Sequence, residues 1–562
     1  MAPNDADTLR QQIKHDFGET LEDKYVEECV VLCQNFDISA QDLFYKWEAV
    51  YFGQSPRVFD DGTIPALRQH VQREVSKQNS RKLHAKSNTS GLMSRNLNAG
   101  VQPTPSSSQG HGKATTQSRA PDISLNQAPS AVPNKVKFSV LNRTEKGQRY
   151  RYMYERISER SGALDDRIDD IAELVQKHYG IVELGDPSLE TEEEVTVVGR
   201  IVLDADSSST GPVKLNESSM SLESSRALGS GRRIPLKFDA NVRVRGARKG
   251  VQGAGFFPGA IVALRGRNGG GGWFVVTEIL SLPNPSSSPL PPGNTDRAFT
   301  MCAAAGPYTA DADLQFKPWE AFLKKARSLK PSVVLLIGPF IDSNHLAVQN
   351  GDLDKDCTTI FREIFLTKLS ELLDELPGSI ALIVPSVRDI LNEHAVFPQG
   401  EFRFEHVHDS RISTLSNPCC FDVNGISFGA TSVDVLFHLR KEEYFKQASA
   451  IAPIGSKEQP HDAMANLCYH IVQQRSFYPI FPVPLDLTHE VNLDISHSDA
   501  LHFNGPEGEM PNILFLPSKL KQFVKYIEDM IVINPSTIVK GYFVSIEFLK
   551  MQNRHVELIK LE

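Results

Sequence analysis

Val333-Val334-Leu335-Leu336-Ile337-Gly338-Pro339-Phe340-Ile341-Asp342 and Ile380-Ala381-Leu382-Ile383-Val384-Pro385-Ser386-Val387-Arg388-Asp389 decide the fold of this chain. Each opens with a five-residue apolar run of strand length and closes in a turn that ends on an aspartate. Helical patterns alternate with them, from Trp319 to Leu329 and from Thr358 to Leu376. Further on come a hairpin, Cys419 to Val423 and Ile426 to Ala430, turned by Asn424-Gly425, helices at 433–446 and 462–475, and strands near 513–516, 530–533 and 541–549. Residues 297–562 therefore read as one layered α/β domain.

The two strand ends resemble those of the calcineurin-like phosphoesterases, which read Gly-Asp-x-x-Asp and Gly-Asn-His-Asp. Here the bridging Asp is Pro339, the Asn ligand is Val387 and the catalytic His is Arg388, while Asp342, His345 and Asp389 remain. A two-metal site needs carboxylates, imidazoles and an amide to hold cations about 3.5–4 Å apart. Proline and valine offer no ligand atom, and a permanently charged guanidinium repels a metal. The family's Asp-x-His motif falls near Cys302-Ala303-Ala304-Ala305-Gly306, without a carboxylate or imidazole. Its late Gly-His motifs fall on Asn512 to Ser518, without a histidine. Pro339, Asp342, Val387, Arg388 and Asp389 are thus degenerate ligand positions. The expectation is a phosphodiesterase-like domain with no metal, no cofactor and no catalysis.

The chain has 562 residues, which at about 150 residues per domain suggests three or four units. The net charge of −9 argues against a general nucleic-acid binder and fits partners that are proteins. No apolar run is long enough to span a membrane, and the acidic N-terminus is no secretory signal. Seven scattered cysteines without a Cys-x-x-Cys read as small buried residues in a reducing compartment, not as zinc ligands.

The fold class is multidomain α+β. Residues 1–78 carry four apolar stripes at helical spacing: Leu9, Ile13 and Phe17; Tyr25, Cys29, Leu32, Cys33 and Phe36; Leu43, Phe44, Trp47, Val50 and Tyr51; and Leu67, Val71 and Val75. They predict a small helical bundle that docks proteins. Its 14 acidic against 8 basic side chains exclude a DNA-binding bundle. Residues 79–144 form a linker, rich in Ser, Asn, Gln, Gly and Pro as far as 134, predicted to be disordered. Thr104-Pro105 within it makes Thr104 a phosphorylation candidate. Residues 145–191 predict a helix with Leu164, Ile168, Ile171 and Val175 packed on the domains that follow.

Residues 192–282 hold five or so short strands with Gly turns, including Ile234 to Phe238 and Asn241 to Arg245, and predict an OB-fold β-barrel. Asp206 to Gly231 reads as a loop insertion. Arg232, Arg233, Lys237, Arg243, Arg245, Arg248 and Lys249 form a basic cluster facing one acid, Asp239. Single-strand binding would also need exposed aromatic platforms, and most aromatics here sit in strands where burial is expected. Residues 283–296 are a Pro/Ser-rich connector.

Leu335 to Asp342, Val384 to Asp389, Phe428 to Leu439, Gln474 to Pro482 and Leu516 to Leu520 resemble the B-subunit family of eukaryotic replicative DNA polymerases, most closely the branch that serves DNA polymerase alpha–primase. The resemblance implies a non-catalytic regulatory subunit in the nucleus. It would scaffold the zinc-binding C-terminal domain of the catalytic subunit during initiation of replication and primer synthesis, and reach the primase subunits through the complex. Other replication proteins would dock on the N-terminal module, and DNA would be met mainly indirectly. Two alternatives stand beside it: a metal-dependent phosphodiesterase or nuclease, and a single-stranded DNA-binding accessory protein acting through the barrel.

Overall fold

The structure is a computed structural model that describes residues 6–17, 21, 23–36, 39–50, 64, 67–68, 136–141, 150–203, 214–246, 253–285, 298–403, 409–451, 462–503, 510–550 and 553–561. It divides into two compact units, 1–119 and 120–562.

In the first unit the first three of the four apolar stripes form helices Ala6–Phe17, Asp23–Phe36 and Ala40–Val50. Leu9, Ile13, Cys29, Leu32, Cys33, Leu43 and Trp47 meet in one core. Phe17, Phe44 and Trp47 pack ring on ring at 5.2–5.7 Å. Ile64 and Leu67 join this core. Val71 and Val75 lie outside the described residues, as does all of 79–134, so that stretch of the linker, with Thr104, receives no structural account.

The second unit is mixed α/β and holds three six-stranded sheets. The first runs, edge to edge, Phe138–Val140, Cys419–Val423, Ile426–Ala430, Ile513–Phe515, Met530–Asn534 and Phe523–Ile527. The second runs Ile412–Thr414, Ile380–Val384, Val333–Ile337, Phe299–Ala305, Tyr542–Lys550 and Asn553–Lys560. Side chains from both sheets share one core, among them Leu335, Leu382, Phe421, Phe428 and Ile533. Helices Lys317–Leu329 and Lys368–Glu375 cover the outer face of the second sheet with Trp319, Phe322, Leu369 and Leu372. Helices Val435–Glu442 and Ala463–Gln473 cover the first sheet. Val333–Ile337 and Ile380–Val384 are buried at every position because both faces of their sheet are packed. In the hairpin, Asn424 and Gly425 take φ of 55° and 86°, the left-handed pair that a two-residue turn requires.

The third sheet follows the order Ser449–Ile451, Arg233–Arg245, Met220–Glu223, Thr191–Leu203, Ile261–Asn268, Phe274–Leu280. Phe274–Leu280 also pairs with Arg233–Arg245, so five strands close into a ring. Ile234, Leu236, Val242 and Val244 point inward, while Arg233, Lys237, Arg243 and Arg245 point to solvent. Gly266 sits at an irregularity where a Cβ would meet the Val275 carbonyl oxygen at 1.9 Å. The helix Ile157–Tyr179 lays Ile168, Ile171, Ala172 and Val175 on Val198, Ile261, Ala263 and Leu280 of the ring.

Five expectations need correction. The linker expected to be disordered as far as 144 contains a strand, Phe138–Val140, held by pairing with Cys419–Val423 and by Val136 in the shared core. The strands expected at 234–238 and 241–245 are one strand, Arg233–Arg245. Within the expected insertion, Met220–Glu223 is a ring strand and Arg226–Gly229 a helical turn; cross-strand pairing outweighs the weak strand preference of its serines. The helix expected over 433–446 ends at Glu442, and Tyr444–Gln447 pairs instead with Gly253–Phe256. The helix expected from Thr358 to Leu376 contains a wider π turn at Arg362–Thr367, where the Thr367 hydroxyl donates to the Arg362 carbonyl at 3.0 Å and Trp319 Nε1–H to that of Ile364 at 2.8 Å.

Candidate functional site

Val333–Ile337 and Ile380–Val384 are parallel neighbours, with Ile337 opposite Val384. This register brings the turns 338–342 and 386–389 together, so all five degenerate ligand positions converge. Backbone bonds tie the turns: Ser343 N–H donates to Arg388 O at 2.8 Å, and Ile390 N–H to Ile341 O at 3.1 Å. The approach is close enough that a Cβ on Gly338 would lie 2.5 Å from Asp389 Oδ2 and 2.9 Å from Ser386 N.

The Asp389 carboxylate is buried inside this knot. Oδ1 accepts the amide N–H groups of Phe340 and Ile341, and Oδ2 accepts that of Ser386 at 2.8 Å. Burial pushes its pKa up to about 7; the three N–H donors oppose that shift and the charge of Asp342 adds to it. Both oxygens are spent on holding the backbone. Asp342 accepts the Arg388 guanidinium on both oxygens, with Nε to Oδ1 at 3.2 Å and Nη2 to Oδ2. The fork is bidentate, the geometry that suits a carboxylate best. His345 caps the helix Leu346–Asn350. Its Nδ1 accepts Ala347 N–H at 3.2 Å, which leaves Nε2–H to donate to Ala310 O at 3.1 Å. Neither imidazole nitrogen keeps a free lone pair for a metal. Pro339 and Val387 contribute no polar side-chain atom.

At the other motif positions, Cys302, Ala303, Ala304 and Ala305 are core residues. Asn512 Oδ1 accepts from the N–H and hydroxyl of Ser427 at 3.1 and 3.0 Å. Chemistry needing a bound cation has no ligand set at these strand ends. Burial pushes the Cys29, Cys302, Cys420 and Cys468 thiols up to about 12, far from a reactive thiolate.

Two arginines of the basic cluster are paired with glutamates, and here the expectation of a single facing acid is corrected. Arg233 pairs with Glu223 at 2.9 Å and Arg245 with Glu278 at 3.0 Å. Lys237 Nζ lies 3.1 Å from the centre of the Trp273 ring and occupies the aromatic face a base would use. Arg248 and Lys249 lie outside the described residues.

One constellation escaped the sequence reading. His497 Nδ1 lies 3.2 Å from Asp494 Oδ2 and its Nε2 3.8 Å from Glu155 Oε1, with the Tyr150 and Tyr152 rings at 5.1 and 5.7 Å. It fastens the start of the long helix to the 494–497 turn. The i, i+3 spacing of Asp494 and His497 was its one local signal; Glu155 is remote in sequence. No helix among the described residues is long and apolar enough to cross a membrane.

Known proteins resemble the chain over these same regions. The family model for the B subunit of DNA polymerases alpha and epsilon matches residues 301–525, and that for the OB domain of the DNA polymerase alpha B subunit matches 161–282. The DNA polymerase alpha B subunit of Schizosaccharomyces pombe is 31% identical, over 92% of this chain and 92% of its own length. That of Saccharomyces cerevisiae is 28% identical over 75% of this chain and 62% of its own length. That of Rattus norvegicus is 27% identical over 70% and 60% respectively.

Proposed function

Because the chain belongs to the family of DNA polymerase alpha B subunits, we propose that it is the non-catalytic accessory subunit of the DNA polymerase alpha–primase complex. The observation that carries the non-catalytic half is the bidentate Arg388–Asp342 pair, which puts a fixed cation where a phosphodiesterase would hold metals. We read the two-sheet domain as a calcineurin-like phosphoesterase scaffold whose ligand positions have become structural, and the closed ring as an OB barrel. The scaffold then offers surface, not chemistry. Its partner is the zinc-binding C-terminal domain of the catalytic subunit, with the primase subunits reached through the complex. The N-terminal unit tethers other replication proteins through the 79–144 linker, where Thr104 is the modification candidate, and the complex works in the nucleus. A single-strand-binding role through the ring is disfavoured by the pairing of Arg233 and Arg245 and by the lysine over Trp273.

Reconstitution tests this. Residues 145–562 should co-purify with the catalytic subunit in equal amounts through high salt, as expected of an obligate interface burying more than about 2,000 Å². Primer synthesis on a bare template should survive removal of 1–144, and recruitment to other replication proteins should not. Loss of assembly on that truncation would refute the division of labour. The purified chain should release no product from phosphodiester substrates with added manganese.

A further inference from the structure

Arg167 lies three residues after Leu164 and four before Ile171, on the face that the long helix turns to the ring. Its Nη2 is closed off from solvent and has no hydrogen-bond acceptor among the described residues. The side chain borders a cavity of about 60 Å³ between this helix, the ring and the 476–502 segment. Arg200 lines the same cavity, its guanidinium already bonded to Glu223 and to the Leu164 carbonyl. Ser476, Ser498 and His502 add polar wall, and no carboxylate among the described residues lines the cavity. Burial holds the Arg167 pKa down at about 10; Asp170 and Asp499 oppose that shift, and the charges of Arg475 and Arg200 add to it.

The Arg167 side chain is half-buried, and its enclosed Nη2–H lacks an acceptor, so the site favours an acceptor group that no described residue places in the cavity. Size narrows the choice. One water needs roughly 10–15 Å³ of such space, so the cavity takes about four waters or one five-atom oxyanion. The positive wall selects the anion.

We propose that this cavity binds a small tetrahedral oxyanion of the phosphate class, with Arg167 Nη2 as the donor and Arg200 as a second positive charge behind it. The phosphate can be free, or the terminal group of a nucleotide whose remainder stays outside.

The test uses the full-length chain and its thermal midpoint. Millimolar inorganic phosphate should raise the midpoint where chloride at matched ionic strength does not, because a ligand that binds only the folded state stabilises it by mass action. Arg167→Met should abolish that response and, without phosphate, melt at or above the parent temperature, since it removes an enclosed donor that has no acceptor. Arg167→Lys should keep a reduced response. A nucleoside triphosphate that raises the midpoint further than orthophosphate does assigns the site to nucleotides; a larger rise with orthophosphate assigns it to the free anion. A parent chain that responds equally to phosphate and chloride, or an Arg167→Met chain that keeps the parental phosphate response, overturns the proposal. Should the variants fail to fold, phosphorus NMR line broadening of orthophosphate by the parent, absent with a control protein, decides alone.

Discussion

Arg388 and Asp342 share a corner in which each needs the other. With the Asp342 side chain 8% exposed and that of Arg388 30% exposed, the pair is sheltered enough for its loss to matter. Arg388→Ala leaves a buried carboxylate without its cation and should cost roughly 2–4 kcal/mol, below the upper range for a fully buried pair. Urea denaturation of the 145–562 fragment measures this. Arg388→His places an imidazole where the calcineurin-like motif has one, yet Pro339 and Val387 still offer no ligand. It should remain inactive on phosphodiesters with manganese or zinc, and turnover by that variant would contradict the reading of the corner as structural. Glu490 sets a pH limit elsewhere. The His438 imidazole at 3.0 Å and the Lys519 ammonium at 3.0 Å hold its pKa down at about 2, against its partial burial. The unfolded value is about 4.3, so the folded state binds fewer protons. This contribution is complete above that value and is lost as pH falls from there towards 2. Glu490→Gln should lower stability at neutral pH and flatten the acid limb of the unfolding profile.

Among the elements, the short pairing of Tyr444–Gln447 with Gly253–Phe256 joins the ring to the two-sheet region. Gly253 has φ of 154°, and a Cβ there would lie 2.2 Å from the Lys446 carbonyl oxygen. Gly253→Ala should open this pairing at a cost of roughly 2–3 kcal/mol, within the range for strained backbone sites. Limited proteolysis should then gain cuts between 443 and 451. Such an element was not legible in the sequence, because Tyr444–Gln447 is a strand only by virtue of a partner about 190 residues away. Met220–Glu223 was missed for the same reason: the serine-rich stretch around it says loop, and its neighbours in the ring say strand. By contrast, Val333–Ile337 and Ile380–Val384 were legible, since an unbroken apolar run reports burial by itself. Their turns could be aligned from sequence, so the convergence of Pro339, Asp342, Val387, Arg388 and Asp389 was readable. That Arg388 would fork onto Asp342, and His345 would cap a helix, was not. Both depend on side-chain directions set by packing. Glu223 and Glu278 fell outside the short stretch in which the basic cluster was weighed, so their pairing with Arg233 and Arg245 was hidden too.

At the scale of the molecule, the ring does not stand alone. The helix Ile157–Tyr179 covers Val198, Ile261, Ala263 and Leu280, and Ser449–Ile451 pairs with its outer strand. Residues 192–282 expressed by themselves should aggregate, because an uncovered apolar face and an open strand edge both invite association. A fragment spanning 135–562, which keeps the edge strand Phe138–Val140, should be monodisperse by size-exclusion chromatography. Sheet closure adds a second dependence. Phe299–Ala305, inside the second sheet, has Val333–Ile337 on one side and Tyr542–Lys550 on the other, and Asn553–Lys560 completes that edge. The ring waits for residues 449–451, about two hundred positions after the strand they join. At synthesis rates of about 5–20 residues per second, that interval is roughly 10–40 seconds of exposed edge on the ribosome. The second sheet waits for residues 542–560, more than two hundred positions after Phe299–Ala305. Completion of this sheet is therefore bound to segments distant in the chain, and deletion of residues 542–560 would leave Phe299–Ala305, an inner strand, paired on one side only.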